Sequence, residues 1–186
     1  MITHIDVSHV LRHRVCELYS DLVTRTTGAA VRTAIEQQLA SSGTRTLIVI
    51  DFTHVGLLDF SCADEVVAKL LLRYCAEDTS SEERYFLFRG VSETHLDAIE
   101  QVLERHGLAL VAQDGDEAAR LVGVVEEPER RAWEMLRDGT RRRPDRVAEQ
   151  LSISAGEAAQ LLDRLYRRRL CMRGEDGYRS LGGRLS

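Results

Sequence analysis

The sequence predicts an α/β sandwich on a central mixed or parallel sheet, followed by a small helical module that ends in a hairpin. Three observations carry this reading. Strand-like and helix-like apolar patterns alternate along the first two thirds of the 186 residues, the order that builds strand–helix–strand units. The run TLIVI from Thr46 to Ile50 is apolar at consecutive rather than alternate positions, the mark of a strand buried on both faces. Charge also changes sign along the chain. Residues before Pro128 include 11 basic and 21 acidic side chains, a net of -10, whereas Pro128 to Ser186 has 14 basic and 9 acidic, a net of +5. Such asymmetry marks two modules, and the boundary falls at residue 126, giving units 1–126 and 127–186. Limited proteolysis is expected to cut around residues 124 to 130 and leave a folded fragment of about 125 residues.

The elements follow in order. Apolar alternation at Ile5 and Val7, and again from Val15 to Val23, predicts one or two strands in residues 1–23. In Gly28 to Ala40, Val31, Ile35 and Leu39 recur four apart on one helical face. The strand TLIVIDF comes next. From Ser61 to Tyr74 a helix opens on Ser-x-x-Asp and stripes Val66, Val67, Leu70 and Leu71, with Ser61 expected to cap it. The polar EDTSSEE loop precedes the strand RYFLF. A helix over 92–106 then stripes Leu96, Ile99 and Leu103, and Gly107 closes it before the strand LALVA. Asp114 is expected to cap a last helix running to Leu121.

In the second unit Pro128 suits a first helical turn, where its missing N–H costs nothing. Pro144 or Asp145 opens a second helix, and Ser154 with Glu157 forms a capping box for a third. CMRGEDGYRSL reads as two strands around a Glu-Asp-Gly turn.

Composition and motifs narrow the function. With 44% hydrophobic and 30% charged residues, the chain is not collagenous, purely coiled-coil or wholly disordered. No apolar run approaches the roughly 18 to 20 residues that span a bilayer, and the N-terminus lacks a leader pattern, so a cytoplasmic protein without membrane attachment is expected. Cys16, Cys62, Cys75 and Cys171 have no C-x-x-C spacing, which suggests neither a zinc ribbon nor a disulfide framework. His9 and His13, with His4 nearby, are best read as surface histidines and not as a metal site. There is no Gly-rich phosphate loop, nucleophile elbow or H-E-x-x-H. The adjacent carboxylates Asp64-Glu65 and Glu82-Glu83 are expected to diverge on a helix and not to share a proton.

The most specific signal is TLIVIDFTHVGLLDFSCADEVVAKLL. It resembles the core of STAS domains, the fold of bacterial anti-sigma-factor antagonists, in which a buried strand ending in Asp leads to an Asp-Ser-Ser-Gly motif at a helix start. Asp51 stands at the strand end and Asp59-Phe60-Ser61-Cys62 at the motif position. Cys62-Ala63-Asp64-Glu65-Val66 is closer still to a divergent STAS-like branch that carries Phe-Ala-Asp-Glu there and often accompanies histidine-kinase-type ATPases. The resemblance covers residues 14 to 112. It implies a non-enzymatic signalling adaptor without cofactor, catalytic residues or metal, whose partner is a kinase-type ATPase or a sigma-factor regulator. The docking or switch loop it implies is Asp59, Phe60, Ser61, Asp64 and Glu65. Phosphorylated members carry a hydroxyl directly after the motif Asp, where this chain has Phe60, so phosphorylation control is not expected.

The C-terminal unit resembles a winged helix-turn-helix. That implies nucleic-acid contacts at Arg141, Arg142, Arg143, Gln160, Arg164, Arg167, Arg168 and Arg173. Gln160 is the one good base reader in the third helix, while Glu157 and Asp163 would repel phosphate. DNA binding is therefore expected to be weak and electrostatic, with a protein-docking or intramolecular role favoured. The alternative is a one-component transcriptional regulator whose STAS-like half senses or dimerises.

Overall fold

The computed structural model describes residues 1–15, 20–40, 43, 45–75, 83–115 and 117–182. It is an α/β fold around one five-stranded mixed sheet, with a separate two-stranded hairpin. The sheet order is β1 (Ile2–Asp6), β2 (Arg45–Asp51), β3 (Glu83–Arg89), β4 (Ala109–Gln113) and β5 (Arg120–Gly123). The first four strands run parallel, and β5 returns antiparallel to β4.

This order decides where the helices go. Neighbouring parallel strands joined by right-handed crossovers place every connecting helix on one face of the sheet. Accordingly, α1 (Val7–Arg14), α2 (Arg25–Leu39), the helix built from α3 (Phe60–Ala63), a π-helical segment (Asp64–Ala68) and α4 (Lys69–Tyr74), and α5 (Glu93–His106) all feed one core. Strand side chains alternate between faces. Ile48, Ile50, Phe86, Phe88 and Leu110 point into that core, whereas Leu47, Val49, Tyr85, Leu87 and Val111 point away from it.

The second face is as apolar as the first, and the C-terminal residues cover it. α6 (Glu127–Glu134), α7 (Pro144–Leu151), α8 (Ala155–Arg167), β6 (Cys171–Gly174) and β7 (Gly177–Ser180) form the module. Its Trp133, Leu136, Leu162, Leu165 and Leu181 share one continuous core with the sheet face. Inside it, the Trp133 indole N–H donates to the Leu170 carbonyl at 2.9 Å. Polar contacts stitch the seam: the Tyr166 hydroxyl donates to Glu83 at 2.6 Å, Arg137 Nε donates to the Ala119 carbonyl at 3.1 Å, and the Arg169 guanidinium lies 5.5 Å from the Tyr85 ring centroid.

Several elements differ from the sequence reading. Val7 does not continue a strand; Asp6 accepts from the His9 N–H at 3.1 Å and starts α1 there. Within the expected Val15–Val23 strand, residues 16–19 lie outside the described ones, and Leu22 makes only a single parallel bridge to Leu58. The second helix starts at Arg25, not Gly28, because Thr24 caps it. Gly28 instead marks a close crossing, since a Cβ there would lie 3.0 Å from the Cys62 Cα. The helix expected from Asp114 to Leu121 is not formed by the described residues of that span, and Arg120 and Leu121 belong to β5. Gly115 turns the chain at φ +48, and Leu121 and Val122 enter opposite cores as a strand does. The helix over 92–106 and its Gly107 stop, the Pro128 and Pro144 starts, the Ser154–Glu157 capping box and the hairpin agree with expectation.

Candidate functional site

In a parallel sheet the loops that leave the carboxyl ends of the strands gather on one edge, the place where such folds put binding functions. Here the β2–α3 loop, residues 52–59, occupies that edge and is pinned from both sides. Thr53 N–H donates to Asp51 at 2.8 Å, and Leu57 N–H donates to Asp21 at 2.9 Å. Leu22 N–H donates to the Leu57 carbonyl at 2.8 Å, and Asp59 N–H to the Leu22 carbonyl at 2.9 Å. Buried His95 accepts from the Ser92 N–H through Nδ1. Its Nε2 is therefore the N–H that donates to the Gly56 carbonyl at 2.8 Å. Gly90, at φ +66, lets the next loop pass so near that a Cβ would sit 2.4 Å from Thr53 Oγ1. On this fixed frame Leu57 is 59% exposed and Val23 47%, flanking the Leu22–Leu58 bridge. Phe60 is half-buried; it packs on the helical core with the Arg105 guanidinium 5.8 Å from its ring.

Asp59, not Ser61, caps the following helix. Its carboxylate accepts from the Cys62 N–H at 2.8 Å, while the Ser61 hydroxyl donates back to the same carboxylate at 2.9 Å. The expected role of Ser61 as cap is corrected because Asp59, three residues before that N–H, already occupies it. The Cys62 thiol contacts the Thr24 carbonyl. Burial, and then the Asp59 charge, push its pKa up to about 12, so it is no nucleophile at neutral pH.

Asp64 and Glu65 lie within the π-helical segment, where a wider turn brings successive side chains closer in direction than an α-helix does. The expected divergence is corrected for this pair, since both carboxylates accept from one guanidinium nitrogen, Arg25 Nη1, at 2.8 and 2.9 Å; the Glu82-Glu83 pair lies partly outside the described residues. Asp64 and Glu65 are only 6% and 2% exposed. Glu65 also accepts from Arg32 Nε at 3.2 Å and from Lys69 Nζ, and Asp64 from His106 Nε2 at 2.9 Å. Burial pushes both carboxyls up. Hydrogen bonds from Arg25 and His106 to Asp64, and from Lys69, Arg32 and Arg25 to Glu65, outweigh it and leave both below their ordinary values. These two residues therefore brace α2, α4 and α5 from inside, whereas Asp59, Phe60 and Ser61 stay near the surface. The partners Arg25 and Arg32 escaped the sequence reading. Their spacing of seven on one helix face was the only local signal.

In the C-terminal module most of the candidate nucleic-acid residues are engaged by its own acids. Arg168 pairs with buried Glu129 at 2.9 Å and Arg164 with the same carboxylate at 3.4 Å. Arg167 pairs with Asp163 at 2.8 Å, and Arg142 with Asp138 at 2.7 Å. Arg173 stacks 4.5 Å over the Tyr166 ring, and Arg141 reaches Asp176 only at 3.9 Å. Arg143 and Gln160 are exposed; Gln160 lines a groove with Pro128, Arg131 and Ile153. At the N-terminus the His9 and His13 rings stack at 4.7 Å. Among the described residues no group of three or more His, Cys, Asp or Glu side chains is placed to hold a metal ion. No helix among them is long and apolar enough to cross a membrane.

No known family model, curated protein or solved structure matches this chain.

Proposed function

We propose that this chain is a non-enzymatic regulatory adaptor that docks a protein partner at the carboxyl edge of its sheet. In this reading the α/β half is STAS-like, the C-terminal module is a winged helix used for docking or output, and the protein works in the cytoplasm. The observation that carries it is the exposed pair Leu57 and Val23, on two adjoining segments fixed to each other by backbone and carboxylate hydrogen bonds. A rigid apolar projection has already lost the conformational entropy that binding would otherwise cost. The sequence resemblance supplies the partner class, a histidine-kinase-type ATPase or a sigma-factor regulator.

Ser61 is not a phosphorylation switch in this reading. Its hydroxyl already donates to Asp59, and a phosphate of charge about -1.5 to -2 there would face that carboxylate. The DNA-binding alternative is weakened by the pairing of Arg164, Arg167 and Arg168 with Glu129 and Asp163, which leaves less free charge for phosphates.

The test mixes the full chain with a purified histidine-kinase-type ATPase from the same organism and measures complex mass by light scattering. Leu57→Asp should abolish the complex and leave the circular dichroism spectrum unchanged. A complex indifferent to Leu57→Asp would overturn the docking surface. Stoichiometric phosphate on Ser61 would overturn the reading of the switch, and a sequence-selective DNA footprint abolished by Gln160→Ala would favour the transcription-regulator alternative.

A further inference from the structure

Where the C-terminal hairpin meets the outer edge of the sheet, the seam opens into a cleft of about 380 Å³, within the range of roughly 300 to 1,000 Å³ that small-molecule sites occupy. Its apolar surface comes from Leu47 of β2 and Met172 of β6, both buried, and from exposed Ile2 of β1. Four arginines line it: Arg45 on β2, Arg141 before α7, Arg173 on β6 and Arg179 on β7.

Two of these cations are held in place and two are hardly used. Arg45 pairs with Glu83 at 3.0 Å and donates to the Arg173 carbonyl, which ties the sheet edge to the hairpin. Arg173 is steadied by the Tyr166 ring at 4.5 Å and by Asp163 at 3.8 Å. Among the described residues, Arg179 has the Met172 sulfur, 3.6 Å away, as its hydrogen-bond partner and no carboxylate within ion-pair distance. Among the same residues Arg141 reaches only Asp176, at 3.9 Å, whose side chain is 85% exposed. Its guanidinium lies close over the hairpin backbone because position 174 is glycine: a Cβ there would fall 2.6 Å from Arg141 Nη1. Glu175 and Asp176 also line the cleft, at its exposed hairpin tip. A long, exposed ion pair such as Arg141–Asp176 is weak, whereas a phosphate that accepts from two guanidinium groups makes short charge-assisted bonds.

We infer that this cleft binds an organic phosphate, with the phosphoryl oxygens on Arg141 and Arg179 and an apolar or aromatic body against Ile2, Leu47 and Met172. A mononucleotide has that chemistry and size. Arg141, Arg179 and Met172 belong to the module and Ile2 and Leu47 to the sheet, so an occupant that uses both binds only the docked arrangement and stabilises it by mass action.

The experiment titrates the full chain with ADP, with inorganic pyrophosphate and with a short single-stranded oligonucleotide, by calorimetry and by thermal melting. ADP should bind and raise the melting midpoint, and pyrophosphate, which lacks the apolar body, should bind more weakly. Arg141→Ala and Arg179→Ala should each weaken ADP binding by about tenfold or more, since each removes a charge-assisted hydrogen bond. Both side chains are so little engaged that the unliganded melting midpoint should not move. Ile2→Asp should weaken ADP more than pyrophosphate. Absence of heat and of a melting shift at millimolar ADP and pyrophosphate would overturn the site. So would equal ADP affinity in the two arginine variants, or binding of the oligonucleotide with ADP silent, which would reassign the cleft to nucleic-acid contact.

Discussion

Ending the chain after residue 126 removes the C-terminal module and leaves one face of the sheet bare. On that face Leu47, Val49, Tyr85, Leu87, Val111 and Leu121 are each no more than 6% exposed in the full chain. Full burial of a large apolar side chain contributes about 1.5–3 kcal/mol, so six represent roughly 9–18 kcal/mol. Neighbouring strands retain part of that cover. Even half of it is comparable to the whole net stability of a domain, about 5–15 kcal/mol. Contrary to the expectation of a stable proteolytic fragment, the 1–126 unit should therefore fail to fold as a monomer, because its sheet face and the module share one core. It should elute as an aggregate or oligomer, bind a hydrophobic dye and lose the cooperative urea transition of the full chain. A protease cut near residue 126 of the intact protein should leave two pieces that stay associated in native buffer. A monomeric 1–126 fragment with a cooperative transition near that of the full chain would refute the reasoning and show that the sheet face tolerates water.

Glu65→Gln should cost about 3 kcal/mol at neutral pH, toward the low end for breaking a buried pair, because Arg25 and Lys69 are half-exposed and can rehydrate. The folded carboxyls of Asp64 and Glu65 lie below their ordinary values. Their contribution is therefore present above about pH 4 and is lost as pH falls through the folded values; urea midpoints from pH 7 to pH 3 should fall less steeply in the variant. Trp133→Phe leaves the buried Leu170 carbonyl without its 2.9 Å donor and should lower stability by about 1–3 kcal/mol in chemical denaturation. Asp59→Ala should cost about 1 kcal/mol by removing the helix cap, and Asp59→Asn, which also caps, should restore most of it.

What the sequence determined by itself is local. The consecutive apolar residues of TLIVI fixed a strand buried on both faces, Pro128, Pro144, Ser154 and Gly107 fixed where helices start or stop, and Glu175-Asp176 fixed the hairpin turn, because each depends on the backbone and side chains within a few residues. Only the tertiary structure decided what covers the second face of the sheet. The sequential strand order puts every crossover helix on one side, and the charge change that marks a chain boundary at residue 126 carries no information about packing across it. It also decided that Asp64 and Glu65 turn inward to Arg25, some forty residues away in sequence, and that Glu129 takes the charge of Arg164 and Arg168. A charged residue looks the same in sequence whether it meets water, a partner or its own chain. Its partner is chosen by elements that come together only when the sheet and both its covers have formed.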